Sequence, residues 1–133
     1  MFKDLVKLNV SGAPIKLTAL GVSQEECYGF TWEVGQLTFD HSIYVTLVDD
    51  NEFALIFHRT SEEAISLYQA DGEEVVRLAS PSLEHKTLSF AYPQLRKGDR
   101  KLFGIVFTDG ELDYSAEFDT DSKTFGQVKR ISR

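Results

Sequence analysis

Between Phe103 and Phe118 apolar residues fall on every second position. They run first at Phe103, Ile105 and Phe107, then at Leu112, Tyr114, Ala116 and Phe118, with Asp109-Gly110 between the two runs. Alternation with period two is the signature of a half-buried strand, and Asp-Gly supplies the positive φ that a tight reversal needs, so the segment predicts a β-hairpin. On the outgoing strand the odd positions are Glu111, Asp113, Ser115, Glu117 and Asp119. Successive side chains leave a strand on opposite faces, so this strand is expected to carry one apolar face and one row of acids.

The same period recurs upstream. Val6, Leu8 and Val10 lead into Ser11-Gly12-Ala13-Pro14, and Ile15, Leu17 and Ala19 lead out, which reads as a first hairpin. After the polar stretch Ser23-Gln24-Glu25-Glu26, one face of a third strand is lined by Tyr28, Phe30, Trp32 and Val34. Gly35 breaks or bulges that strand before Leu37 and Phe39 resume it. Ile43, Val45 and Leu47 precede a turn at Asp49-Asp50-Asn51, and Phe53, Leu55 and Phe57 follow it. In that last run Ala54 and Ile56 are apolar as well, which predicts a central strand buried on both sides.

Residues 60 to 72 fit two readings. Thr60-Ser61-Glu62-Glu63 resembles a capping box, with Ala64, Ile65, Leu67 and Tyr68 on one helical stripe, so a short helix near 61–70 fits. Strand, Asp71-Gly72 turn and strand through Val75-Val76 is the favoured reading. Further on, Ser80-Pro81-Ser82 is a loop and Leu88, Phe90 and Tyr92 form a strand ending at Pro93. Arg96-Lys97-Gly98-Asp99-Arg100-Lys101 is a basic turn, Asp119 to Lys123 turns the chain again, and Val128 and Ile131 mark a weak last strand. Strands at 8 to 12 residue spacing with hairpin connections predict an all-β, mainly antiparallel β-sandwich or small barrel. The 133 residues contain no repeat or linker that would divide them, so one domain over 1–133 is expected.

Composition narrows the function. Ten Phe and five Tyr against one Met suit an aromatic β core, and the formal net charge is −7. Phosphate binding draws on Lys and Arg, so this charge argues against nucleic acid and for a basic protein partner. The single Cys27 has no partner for an internal disulfide, and charges interrupt the apolar residues of Met1 to Lys7. Together these predict a cytoplasmic protein, and no run approaches the length of a membrane span.

Candidate chemistry is sparse. The acidic row of Glu111, Asp113, Glu117 and Asp119 is the leading candidate partner-binding site, because carboxylates spaced about 7 Å apart on one side of a strand match Lys and Arg. The bland alternative is a solvated face of an edge hairpin, where charge blocks sheet extension. Tyr28, Phe30 and Trp32 form the second candidate, a ligand platform if exposed and a core stripe if not. Asp119-x-Asp121-x-Lys123 starts like a calcium loop but sets Lys123 where a ligand belongs. His41, His58 and His85 lack the short spacing of a zinc site, although Asp40 beside His41 could orient an imidazole facing a pocket. No nucleophile elbow or phosphate loop occurs, and Glu25-Glu26 would suppress the reactivity of Cys27. The residues therefore point to a binding module with no metal or cofactor, most concretely an immunity or antitoxin-type inhibitor of a basic toxin such as a nuclease. A carbohydrate- or small-ligand-binding β-sandwich and a small hydrolase with a scattered site are the alternatives.

Overall fold

A computed structural model describes residues 1–15, 25–84, 86–94 and 101–131. The described residues contain strands and turns and no helix. The first six strands are β1 (Val6–Leu8), β2 (Cys27–Trp32), β3 (Gly35–Val48), β4 (Phe53–His58), β5 (Ala64–Gln69) and β6 (Glu74–Ala79). They pair in sequence order as one antiparallel meander. A two-stranded ribbon follows, β7 (Ser82–Leu83) with β8 (Lys86–Thr87). The second sheet is made by β9 (Ser89–Gln94), β10 (Leu102–Thr108), β11 (Asp113–Asp119), β12 (Thr124–Phe125) and β13 (Lys129–Arg130). Its order is β12, β11, β10, β9, with β13 also on β11.

The two sheets pack face to face. Leu55, Phe57, Ile65 and Leu67 from the first meet Ile105, Phe107, Tyr114, Ala116 and Phe118 from the second in one buried cluster. Phe57 and Phe90 stack across the interface with ring centroids 4.2 Å apart. A second cluster lies on the far side of the first sheet, where Ile43, Val45, Ala54 and Ile56 meet Phe2, Phe30 and Trp32. Strand β4 is thus buried on both faces, as its double apolar pattern predicts.

The second cluster exists because β3 is long and interrupted. Its 14 residues pair with β4 from Ile43 to Val48 and with β2 from Gly35 to Thr38. Between the pairs Gly29↔Thr38 and Cys27↔Ile43 the residues 39–42 bulge out of the ladder. Such a bulge bends a strand sharply, and the β2–β3 hairpin packs over the outer face of the first sheet. Trp32 fastens it there, donating its indole N–H to the Ala70 carbonyl at 2.9 Å.

Of the two readings of residues 60–72 the favoured hairpin is the one formed, and the short helix is not: residues 64–69 are strand β5, because Ile65 and Leu67 enter the inter-sheet core while Ser66 and Tyr68 face the other way. Other expectations are corrected. Thr60 to Glu63 forms a turn, closed by Glu63 N–H on the Thr60 carbonyl, with Glu63 at φ 51° in place of a helix cap. Gly35 does not bulge a strand. It opens β3 opposite Trp32 after a two-residue reversal at Glu33-Val34, which leaves Val34 exposed. Pro93 lies inside β9, an edge strand where a missing N–H is tolerated. A register shift in the β9–β10 pairing lets Phe90 face the core while Tyr92 is exposed. The first hairpin is seen in part: Pro14 bridges Leu8 and the Ile15 N–H meets the Lys7 carbonyl, while Leu17 and Ala19 lie outside the described residues. Most of the basic turn, Arg96 to Arg100, and His85 lie outside them as well.

Candidate functional site

Strand β11 alternates as its sequence dictates. Tyr114, Ala116 and Phe118 are buried, while Asp113, Ser115, Glu117 and Asp119 are only partly covered on the opposite face. Cross-strand pairing sets Thr108, Val106, Gly104 and Leu102 of β10 beside them, in that order. Gly104 brings no side chain beside Glu117, and Gly104 and Val106 are both buried on that flank. On the other flank Lys129 pairs with Ser115, and Ser115, Glu117, Gly126, Gln127 and Lys129 line a shallow dent.

Two details differ from the sequence reading of this face. Strand β11 is interior to its sheet, with β10 on one side and β12 and β13 on the other, so the acids do not guard an open edge. Glu111 belongs to the connecting loop and not to the strand, because the ladder closes at Thr108↔Asp113 and leaves four residues between. Asp109 organises that loop: its Oδ1 accepts the N–H groups of Glu111 and Leu112, and its Oδ2 accepts the Tyr114 hydroxyl at 3.1 Å. Those two backbone donors hold the Asp109 carboxyl below the usual range, and Gly110 turns at φ 101°. Glu111 stands exposed at the tip.

At the far end Asp119 accepts the N–H of Asp121 at 2.8 Å and of Ser122 at 3.3 Å, as a turn residue does. Asp121 lies 3.5 Å from Lys101, which is also 2.8 Å from the nearly buried Asp49. This loop holds acids around an ammonium, and among the described residues no set of His, Cys, Asp and Glu is arranged to hold a metal.

The aromatic stripe divides. Phe30 is fully buried and Trp32 is 7% exposed, packed with Phe2 at 5.0 Å between centroids, so neither offers an open face to a ligand. Tyr28 is partly covered, and its hydroxyl lies 3.5 Å from Glu26. The interrupted pairing between Cys27 and Gly29 separates it from the other two.

The fold also assembles a group that sequence spacing hides. His41 Nδ1 lies 2.8 Å from Asp40 Oδ1, His41 Nε2 lies 2.7 Å from His58 Nδ1, and His58 Nε2 lies 2.8 Å from Ser66 Oγ. The chain runs inward from the solvent-exposed Asp40 to Ser66, which has no exposed surface. The bulge at 39–42 directs His41 onto the end of β4, and the pairing of β4 with β5 brings Ser66 to the same face. A carboxylate only accepts, so His41 donates from Nδ1; in the arrangement with both rings neutral His41 accepts at Nε2, His58 donates from Nδ1, and Ser66 donates its hydroxyl to His58 Nε2. Burial, with Arg77 and His41 nearby, lowers the His58 pKa to about 4. The bond to His41 holds the Asp40 carboxyl below its usual value. The adjacent Asp40-His41 pair was the one trace of this cluster in the sequence, since His58 lies 17 positions away.

No protein-family model matches the chain, and no curated protein matches it in sequence. Among solved structures, a chain from the structure of Tne2 in complex with Tni2 aligns with it at TM-score 0.76 and 14% identity. The alignment covers 99% of this chain and 100% of that one. At that identity the likeness establishes a shared fold. No helix among the described residues is long and apolar enough to cross a membrane.

Proposed function

We propose that this chain is a non-enzymatic protein-binding module whose acidic surface holds a basic partner, most concretely an immunity-type inhibitor that covers the cationic site of a toxin such as a nuclease. The observation that carries the reading is the segregation on β11, where Asp113, Glu117 and Asp119 share the face turned from the core, with Glu111 at the loop tip. Spaced carboxylates on a rigid sheet favour encounter with Lys and Arg, and the formal charge of −7 extends that preference to the whole molecule. The fold is also that of a chain found in a complex of two proteins, which is compatible with such a role.

Two other readings have less support. A ligand platform on Tyr28, Phe30 and Trp32 would need the rings of Phe30 and Trp32, which are buried here. Hydrolysis through the Asp40, His41, His58 and Ser66 chain would need a reachable hydroxyl, and Ser66 is fully enclosed.

The test is co-expression with each basic toxin-like protein encoded beside it. The expected result is rescue of growth together with a 1:1 complex whose association slows as salt rises. If none of these proteins is neutralised or bound, the reading fails.

A further inference from the structure

We propose that Asp40, His41, His58 and Ser66 form a proton-counting latch, which holds the folded-over β2–β3 hairpin on the first sheet at neutral pH and releases it when the histidine pair takes up a second proton.

In the neutral arrangement every N–H and O–H of the chain points outward, from Ser66 to His58, from His58 to His41 and from His41 to the Asp40 carboxylate. One added proton fits without breaking a bond. With His41 protonated on both nitrogens, its Nε2–H donates to His58 Nδ1, and His58 changes tautomer to donate from Nε2 to the Ser66 oxygen. The Asp40 carboxylate then faces the imidazolium. A second proton has no such solution, because Nε2–H of His41 and Nδ1–H of His58 would both be donors, 2.7 Å apart, on two cations.

The surroundings favour neutral His58. It is 2% exposed. From β3 it meets His41, which Asp40 holds in turn; from β5 it meets Ser66, with Tyr68 beyond; from β6 come Arg77 and Glu74, which are 3.7 Å from one another. Cys27, paired opposite Ile43 on β2, commits its thiol to the Gly29 carbonyl. Among the described residues Arg77 and His41 work against a charge on His58, and Glu74 works for it.

The link to movement is the bulge. His41 is one of the four β3 residues outside both ladders, so its bond to His58 ties the bulge to β4. Beyond the bulge the hairpin lies over Ala54 and Ile56, with Phe30 and Trp32 as its buried contacts. Opening the His41–His58 pair removes the side-chain tie at the root of the hairpin and leaves the bulge one backbone bond, from the Arg59 N–H to the Ser42 carbonyl at 3.0 Å. Nearer the tip the hairpin keeps the Trp32 bond to Ala70 and the packing of Phe30 and Trp32.

Hydrogen exchange followed by mass spectrometry at pH 7 and pH 4.5, corrected for intrinsic rates, tests the latch on the intact chain. Residues 27–42 are expected to exchange about tenfold faster at the lower pH while residues 102–119 keep their protection. In His41→Gln, whose amide can hydrogen-bond His58 Nδ1 but does not titrate, that acceleration should fall by more than half. Equal acceleration in the variant, or uniform acceleration of both segments, overturns the proposal. Long-range nitrogen–proton spectra of the unmodified imidazoles provide the second reading should the variant not fold. His58 should stay neutral down to the pH at which the hairpin opens, and its titration near the ordinary value of about 6.5 with no change in exchange also overturns the latch.

Discussion

The Trp32 indole lies against the backbone of Gly35, so closely that a Cβ at position 35 would stand 2.5 Å from Cζ2 and 2.9 Å from Cε2. The ring has no freedom to give way, since its N–H is bonded to Ala70 and its edge packs on Phe2. Gly35→Ala is therefore expected to destabilise the fold by about 1–3 kcal/mol, the usual range for overpacking a filled site. The measurement is the urea midpoint at constant m-value, read alongside emission of the single Trp, which should shift to the red. An unchanged midpoint and spectrum would show that the indole is not confined.

Lys101 at the head of β10 reaches Asp49 in the β3–β4 turn and so joins the two sheets at one end. The Asp49 carboxylate raises the Lys101 pKa, first through the hydrogen bond itself. Lys101→Met should lower the thermal midpoint and Lys101→Arg should lower it less, because the arginine keeps a charge for the nearly buried carboxylate. Calorimetry of the three proteins at one salt concentration checks the order, and a methionine variant as stable as the parent would remove the clamp from the account.

Much of the architecture was legible because it rests on period-two alternation. Strands β4, β10 and β11, their buried faces and the turns at Asp71-Gly72 and Asp109-Gly110 follow from adjacent residues. Strand β5 was ambiguous because Ala64, Ile65, Leu67 and Tyr68 satisfy a helical stripe as well, and only the pairing with β4 and β6 decides between them. The His41–His58 pair was illegible for a different reason. It depends on a four-residue bulge that folds a hairpin over a sheet, and no local pattern around Asp40 or His58 encodes where the bulge will deliver His41. The acidic face was read from β11 itself, but its place inside the sheet, and Glu111's in the loop, depend on partners far along the chain.

Stability should fall on mild acidification. His58 is near 6.5 in the unfolded chain and about 4 when folded, so below 6.5 the unfolded state binds a proton that the folded state refuses. Its contribution is complete above pH 6.5 and is lost progressively down to about 4, amounting to roughly 2–4 kcal/mol. The depressed carboxyls of Asp40 and Asp109 add losses as they protonate at still lower pH. Urea unfolding at several values between pH 7.5 and 4 measures the slope, and a flat profile between 6.5 and 5 would refute the assignment to His58.

The partner surface makes the sharpest demand. Replacing Glu111, Asp113, Glu117 and Asp119 together by Gln or Asn removes four negative charges from one side of the molecule and leaves Tyr114, Ala116 and Phe118 in the core untouched. Asp119 organises a turn that Asn can also form, so much of the fold should survive, and far-ultraviolet circular dichroism verifies that first. Association with a basic partner should then slow by about tenfold or more at low salt, and the dependence of the on-rate on salt should flatten, because charges at a surface act chiefly on encounter. A single Glu111→Gln change should reproduce a fraction of the effect with no loss of stability, since that side chain projects from a loop. Should the fourfold variant bind the same basic protein with the parent's rate, affinity and salt slope, the row on β11 serves solubility alone and the docking face lies elsewhere on the molecule.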